Sequence, residues 1–435
     1  MEFALFLLLN AILLIRPAEM IEALEPLRLY QLVAIGCILL SYPGLIEQMT
    51  TRSLIDRPLT VGVLGILLAI ILSHLQFGSI WGARMGGNMF GRVVLYYLLL
   101  VHNLDTPQKF QRFLNAVVLF TLIAVCLALL HFYEYVEIPA LEALEQREID
   151  PETGESIVFP RLVGTGIFND PNDICLVLIV VITICLYRLM APEAGPTRFI
   201  WLIPLVPFLI AFLETKSRGG FIGLMVAANV VLVSQLGIRK CIPIWLMGLP
   251  LVLVVFGGRM TRIDLEGGTG QHRVQLWRES LALLRHYPLL GVGQGLLASH
   301  VGLGAHNSYV HAFAELGILG GTAFISLVYM SIAQLHQLRH EVDQIADPGM
   351  RRLRLYLLAI LCGYCAGMLS LSRVYIVPTY LLFGLTAAYI RQARAVGWNV
   401  LPQWRFTPYL MMRLAAVGMI ALIALEIGSR ALVRW

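Results

Sequence analysis

The chain has few charged residues for its length. Asp, Glu, Lys and Arg make up 14% of its 435 residues, whereas hydrophobic residues make up 58%, and the mean hydropathy is +0.77. A soluble protein of this size needs more polar surface than so few charges provide, so the composition predicts an integral membrane protein. The formal net charge of only +5 gives no indication of a nucleic-acid partner.

Several motifs of soluble enzymes and metalloproteins are also missing. The sequence has no Walker loop, no HExxH and no GxSxG nucleophile elbow. Asp170 and Asp173 form a DPND motif, whose spacing differs from the DxD of metal-dependent glycosyltransferases. All seven cysteines fall inside apolar runs, which indicates neither a disulfide framework nor a zinc site. We therefore predict that the protein requires no metal ion and no cofactor.

What the sequence does contain is a series of apolar runs. About thirteen are long enough, or nearly so, to cross a hydrocarbon layer of ~30 Å: 3–15, 29–46, 59–77, 91–103, 113–133, 172–190, 199–213, 218–236, 241–257, 311–334, 354–371, 374–392 and 410–428. Glu2 stands where a cleavable signal peptide carries basic residues, so we expect the first run to be retained. The predicted fold is an all-α polytopic membrane protein with about 12–14 transmembrane helices.

The basic residues of the loops predict the orientation. Lys and Arg are denser in the loops that face the cytoplasm when the N-terminus is placed inside. On this topology the loops 135–171 and 258–310 both face outward. We therefore divide the chain into N-terminal transmembrane helices (1–134), a catalytic region that contains both outer loops (135–334) and C-terminal transmembrane helices (335–435).

The stretch from Gln271 to Gly317 covers most of the longest interval without a membrane-spanning pattern and enters the apolar run that follows it. Loops this long inside a compact architecture are usually functional. Its first part, from about His272 to Tyr287, is predicted to be an amphipathic helix, because apolar residues recur every three or four positions. Pro288 ends that helix. Five glycines then permit tight turns, and His306-Asn307-Ser308-Tyr309 leads into the next apolar run.

Three well-separated segments bring cationic groups to the predicted outer face. They are Arg161 before DPND, Arg218 in ETKSRGGF, and Arg273, Arg278 and Arg285 on the amphipathic helix. Guanidinium forms bidentate contacts with phosphate oxygens and stays charged near lipid, so an anionic amphiphile such as a lipid phosphate or diphosphate is the expected ligand. His306 adds a group that exchanges protons near neutral pH. Two simpler explanations remain open: a helix that lies on the membrane surface, and an Arg218 that snorkels to the interface.

Taken together, these segments carry a resemblance. SRGG, HRVQLWRESLALLRHYPLLGVGQG and AHNSYVHAFAELGILGG, with RLVGTGIFNDPN upstream, are similar to the O-antigen ligase and polymerase superfamily, the bacterial membrane enzymes of the WaaL and Wzy types. The resemblance covers residues 160–330. It implies a metal-independent glycosyltransferase of the GT-C type in the bacterial inner membrane. Such an enzyme takes a glycan from an undecaprenyl-diphosphate carrier at the periplasmic face and joins it to an acceptor hydroxyl.

The resemblance also implies roles for individual residues. It assigns Arg218 and Arg273 to the diphosphate and His306 to general-base catalysis, and it leaves Arg278 and Arg161 as further diphosphate-binding candidates. Secondary site candidates are Asn172, Trp277, Arg285, Asn307, Tyr309 and Glu315.

The acceptor is less well defined by the motifs. A ligase transfers glycan to lipid A-core, a polymerase extends a growing polysaccharide, and a protein O-glycosyltransferase uses Ser or Thr. One compact catalytic loop without an appended soluble domain favours the ligase. From a different class, a transporter of lipid-linked sugars could use the same arginines without chemistry, but transporters often have repeated halves and charged helix breaks near the bilayer midplane. Here the polar groups cluster towards one face.

Overall fold

The computed structural model describes residues 1–149, 156–255, 268–345, 347–395 and 404–433. Residues 258–267 of the predicted outer loop lie outside this set. The helices are, in chain order, α1 (Glu2–Ile15), α2 (Pro17–Met20), α3 (Leu29–Met49), α4 (Thr51–Asp56), α5 (Pro58–Leu75), α6 (Ile80–Asn103), α7 (Pro107–Phe132), α8 (Pro171–Leu189), α9 (Leu202–Glu214), α10 (Arg218–Leu236), α11 (Ile238–Val255), α12 (Gly268–Ala282), α13 (Leu297–Val301), α14 (Ser308–Gln337), α15 (Pro348–Gly367), α16 (Val377–Ala395) and α17 (Pro408–Leu432).

Every one of the thirteen predicted apolar runs overlaps one of these helices. Among the residues that the structure describes, ten helices are long and apolar enough to cross a membrane. Helices α6, α11 and α16 overlap the remaining three predicted runs. The prediction of an all-α polytopic membrane protein is confirmed.

Local sequence explains where several helices begin. Thr106, Asp170 and Thr407 each precede a proline and accept a hydrogen bond from a backbone N–H of the first turn. Proline is suited to the first helical position because its missing N–H has no partner there, and the preceding polar side chain satisfies one of the unpaired N–H groups. The predicted start of a helix at Pro171, capped by Asn169 or Asp170, is confirmed with Asp170 as the cap.

The sequence-based prediction is wrong in two places. The predicted helix over 272–287 begins earlier, at Gly268, and its α-helical part ends at Ala282, followed by a 3-10 turn over Leu283–Arg285. The loop 135–171 contains an antiparallel hairpin of β1 (Leu144–Ile149) and β2 (Ser156–Arg161), in which Leu144 pairs with Arg161. The charged residues of β1 leave no regular alternation of apolar and polar side chains, so the hydrophobic periodicity of the sequence does not predict this strand.

The chain forms two compact units. The first comprises Met1–Leu40, Thr106–Arg262 and Cys362–Tyr364, and the second comprises Ser41–Asp105, Ile263–Leu361 and Cys365–Trp435. In the first unit, α8 packs against α7, α9 and α10, and every residue from Ile174 to Cys185 is buried. A helix that is apolar on all sides belongs in the interior. In the second unit, α14 takes the central place and packs against α5, α12, α16 and α17.

Candidate functional site

In the first unit, Arg161 joins three chain segments that the sequence keeps apart. This side chain is 5% exposed. Its Nε donates to the carbonyl of Thr215 at 2.8 Å, Nη1 to Oε1 of Gln146 at 2.9 Å and Nη2 to Oδ1 of Asn172 at 3.1 Å. Arg161 thus links the hairpin, the start of α8 and the turn before α10. Its guanidinium therefore holds the turn through these protein acceptors, and its assignment to the diphosphate stays a prediction.

Asn172 connects DPND with SRGG. Its Oδ1 accepts a hydrogen bond from Ser217 Oγ at 2.7 Å, in addition to the bond from Arg161. Its Nδ2 donates to Asp170 Oδ1 at 2.8 Å. DPND and SRGG are distant in sequence, and the structure brings them together in the first unit. The amide of Asn172 is the shared partner.

The SRGG motif forms the N-terminus of α10. Ser217 caps the helix by accepting from the N–H of Gly220 at 3.1 Å, and Arg218 is the first helical residue and is partly buried. Gly220 lies so close to α8 that an added Cβ would stand 2.0 Å from Sγ of Cys175. The glycine is therefore required for the approach of α10 to α8, and this approach fixes the position from which Arg218 projects.

In the second unit, α12 carries the predicted arginines and contacts α14 and α17. Trp277 Nε1 donates to the carbonyl of Ala305 at 2.8 Å, which ties the helix to the residue before His306. Arg278 Nη1 forms an ion pair with Glu426 Oε2 of α17 at 2.9 Å. Arg278 thus has a carboxylate partner in this structure, and its assignment to the diphosphate stays a prediction. Arg273 is partly buried one turn earlier, and Arg285 is exposed in the 3-10 turn.

The turn before α14 presents His306 in an unusual backbone conformation. Its φ is +48°, in the left-handed region that residues with a side chain rarely adopt. Asn307 follows as the cap of α14, and its Oδ1 accepts from the N–H groups of Tyr309 at 3.0 Å and Val310 at 3.2 Å. The Tyr309 hydroxyl donates to the carbonyl of Cys365 at 2.8 Å. Asn307 and Tyr309 therefore fix the backbone that carries His306.

Helix α14 is interrupted at Gly317, where φ is 65° and ψ is −164°. The break exposes backbone groups that residues 288–293, here called the glycine segment, satisfy. Four backbone hydrogen bonds join the two: Val292 N to Ala314 O at 3.0 Å, Gly293 N to Glu315 O at 3.0 Å, Ile318 N to Pro288 O at 2.8 Å and Leu319 N to Leu289 O at 3.2 Å. A Cβ at Gly317 would lie 2.3 Å from the carbonyl carbon of Leu289, so only glycine fits here.

A buried carboxylate, that of Glu315, lies beside this break. Glu315 Oε2 is 3.0 Å from Nε2 of His311, with side-chain exposures of 2% and 15%. Glu315 Oε1 accepts from the N–H of Leu297 at 3.2 Å. The Tyr375 ring lies 5.8 Å from the imidazole of His311, and burial together with the charge of Glu315 raises the pKa of the Tyr375 hydroxyl well above its ordinary value. Tyr375 therefore stays protonated.

A cavity of about 330 Å³ opens between the α5–α6 turn and the glycine segment. It lies wholly within the second unit, where Gln76 Nε2 donates to the carbonyl of Gly291 at 2.6 Å. Aromatic rings and imidazoles dominate the lining, which includes His74, Phe77, Ser79, Trp81, Tyr287 and His300. The volume falls in the range of ~300–1,000 Å³ that is usual for small-molecule sites.

The sequence did not reveal several partners in these arrangements. Glu426 is the one acidic residue of α17, and a carboxylate inside an apolar span is a signal that predicts a buried partner. Gln146 gives no such signal, because its role depends on the hairpin. Phe77 lies in the turn after α5 and Trp81 in the first turn of α6, where aromatic residues alone predict only an interfacial position.

The comparison with protein families matches one segment of the chain. Residues 203–325 match the family model described as O-antigen ligase. The chain is thus similar to the O-antigen ligase family over this segment. The match confirms the resemblance to the O-antigen ligase and polymerase superfamily, whose members are enzymes. The O-antigen ligase domain contains SRGG, α12, the glycine segment, His306 and the break at Gly317. No curated protein sequence matches the chain.

Proposed function

We propose that the protein is a membrane glycosyltransferase of the O-antigen ligase type. It moves a glycan from undecaprenyl diphosphate to a hydroxyl group of lipid A-core at the periplasmic face of the bacterial inner membrane. The match of residues 203–325 to the O-antigen ligase family carries this proposal. The ten apolar helices agree with a donor and an acceptor that are both held in the bilayer.

In the proposed reaction, the acceptor oxygen attacks the anomeric carbon of the donor glycan. The bond between that carbon and the diphosphate oxygen breaks, and the acceptor proton passes to His306. Arg218, at the N-terminus of α10, and Arg273, on α12, are the proposed ligands of the leaving diphosphate. Diphosphate is already a good leaving group, so the protein need only stabilise its growing negative charge and accept one proton. Guanidinium groups supply that charge, and we propose that no metal ion is needed.

The experiment is turnover by the purified full-length protein with a lipid-diphosphate-linked glycan. Lipid A-core, a second lipid-linked repeat unit and a Ser/Thr peptide are offered as separate acceptors. Transfer to lipid A-core supports the ligase, extension of the repeat unit would identify a polymerase instead, and binding of the donor without transfer to any acceptor would contradict an enzyme. Turnover that survives EDTA supports the metal-independent mechanism, and turnover that EDTA abolishes contradicts it.

Conservative arginine variants test the diphosphate site. Arg218→Lys and Arg273→Lys each keep the charge but lose the planar fork, so we expect each to lose most of the activity. Arg112→Lys, on an exposed position of α7, is the matched control and is expected to retain turnover. Near-native rates for both site variants would show that general electrostatics, or snorkelling, explains these arginines.

We further propose that the cavity beside the glycine segment receives the acceptor saccharide. Aromatic faces pack against the C–H groups of sugar rings, while the imidazoles and Ser79 offer hydrogen bonds to hydroxyls. Trp81→Ala is expected to raise the KM for acceptor about tenfold, because it removes the largest of these faces, worth ~1.4 kcal/mol. Ile80→Ala, at an adjacent exposed position outside the lining, is the control. An unchanged acceptor KM in Trp81→Ala would contradict this assignment.

A further inference from the structure

A second cavity lies at the other end of the helices that form the second unit. Its lining includes Arg57, Arg391, Arg394 and Gln334, here called the arginine pocket. Gln334 is in the last turns of α14, 28 residues after His306, which corresponds to about 40 Å along a helix at ~1.5 Å per residue. The arginine pocket is therefore separate from the proposed transferase site.

The arginine pocket contains hydrogen-bond donors that lack acceptors. Within the part of the chain that the structure describes, Nη1 of Arg57, Nη2 of Arg391, Nε of Arg394 and Nε2 of Gln334 are buried and have no hydrogen-bond partner. Buried polar groups are nearly always paired, and a buried donor on a charged group is especially costly to leave unpaired. Four such donors around one cavity indicate a ligand rich in acceptor oxygens.

The charges around the pocket favour an anion. Arg57 is the strongest charged neighbour of Arg391, ahead of the carboxylates of Asp105 and Glu47. For Arg394 the carboxylate of Asp56 comes first, followed by the cations Arg57 and Arg405. Asp56, the acidic residue of the lining, is already engaged: its Oδ1 accepts from Arg405 Nε at 2.8 Å, and its backbone carbonyl accepts from Arg394. Buried cations that repel one another destabilise a fold unless a counter-charge is bound.

The size and depth of the pocket identify the kind of anion. The cavity holds about 40 Å³, several times the ~10–15 Å³ that one water molecule needs, so it has room for a phosphate group. Arg57 immediately precedes Pro58, the first residue of the apolar helix α5. The N-terminus of this 18-residue helix adds backbone donors and a favourable dipole. A residue at the end of a spanning helix lies at the depth of the lipid headgroups.

We propose that the arginine pocket binds the phosphate of an anionic phospholipid. Basic pockets between transmembrane helices are suited to such headgroups. Free phosphate has the same chemistry, and the experiment separates the two sources.

The test uses the purified full-length protein and follows bound lipid by native mass spectrometry and the thermal unfolding midpoint. The protein is titrated with phosphatidylglycerol in phosphatidylcholine vesicles, with phosphatidylcholine vesicles alone and with inorganic phosphate. We expect phosphatidylglycerol to remain bound and to raise Tm. Arg391→Gln and Arg57→Gln should each weaken binding roughly tenfold to a hundredfold, because each removes a charge-assisted donor. Arg52→Gln, an exposed arginine near the same end of α5 but outside the lining, should bind like the wild type.

The binding and Tm measurements together distinguish loss of the lipid site from loss of the fold. A variant that binds no lipid but keeps the Tm of the unliganded wild type has lost the site and not the fold, which supports the proposal. Equal binding by Arg391→Gln, Arg57→Gln and wild type would overturn it, as would the absence of any effect of phosphatidylglycerol. A Tm shift with inorganic phosphate but none with phosphatidylglycerol would overturn the lipid assignment.

Discussion

Two neighbouring regions of the O-antigen ligase domain each carry a histidine, and the two histidines differ in what holds them. His306 lies in the turn before α14 with a left-handed backbone, partly buried, and the following Asn307 fixes the helix start behind it. His311 lies on α14 itself, and its imidazole faces the buried carboxylate of Glu315. Backbone strain that the surroundings enforce clusters at functional sites, whereas the contact of His311 with Glu315 ties its imidazole to a neighbour on the same helix. The comparison therefore separates a candidate base from a positioning residue.

The largest effect is expected for His306→Ala. A general base contributes ~10²–10⁴ in rate, so glycan transfer should fall by about that factor while donor binding and thermal stability stay close to the wild type. Turnover measured at several pH values, with donor binding measured separately, checks this expectation.

His286→Ala is the control for His306→Ala, because His286 is exposed at the end of the α12 segment. It should keep turnover within a few-fold of the wild type. If His306→Ala also does so at every pH, the base assignment fails, and the proton must pass to Glu315, to water or to the departing diphosphate.

The next largest effect is expected for His311→Ala, and it is an effect on stability. Its removal takes away the imidazole that faces the buried Glu315 carboxylate, and the backbone N–H groups of Gly295 and Leu297 stay as hydrogen-bond donors to it. Removing one hydrogen-bond partner of a buried charged group costs about 1–3 kcal/mol. Unfolding in denaturant should show this loss.

The double variant His311→Ala/Glu315→Gln decides whether the loss comes from the unpaired charge. A neutral amide at position 315 can still accept from Leu297, so the double variant should recover much of the stability that His311→Ala loses. A double variant as unstable as the single one would show instead that packing around His311 causes the loss.

Local signals predicted much of the region around these histidines. The apolar run 311–334 predicted α14, and the DPN sequence predicted the cap and start of α8, because both depend on residues that are close in sequence. The resemblance selected His306, whose backbone conformation no periodicity could reveal. Local sequence therefore indicates which residues are candidates and on which elements they lie.

Contacts between distant segments could not be predicted. The break at Gly317 depends on the glycine segment, which lies more than twenty residues earlier in the chain and fills the open hydrogen bonds. Arg161 and Arg278 look like phosphate ligands in sequence because both are arginines near a predicted loop, yet Arg161 holds a turn and Arg278 pairs with Glu426. Charge is visible in a sequence, but whether a charge already has a partner depends on tertiary structure.

The smallest effect is expected for Trp277, which supports the turn that carries His306. Trp277→Phe keeps an aromatic ring at this position of α12 but removes the indole N–H. That N–H donates to the carbonyl of Ala305, the residue before His306. One such hydrogen bond contributes ~0.5–1.5 kcal/mol. Because the bond holds the turn and not α14, we expect turnover to fall a few-fold while acceptor KM is unchanged.

Trp404→Phe provides a matched control for Trp277→Phe, since its indole donates to Gln337 Oε1 at 2.6 Å at the far end of α14. Both variants should lose similar stability, but only Trp277→Phe should slow transfer, because only this tryptophan supports the turn that carries His306. Equal slowing by both would mean that α14 responds as a whole to small losses of stability. The distinction between the turn and the helix would then have no catalytic consequence.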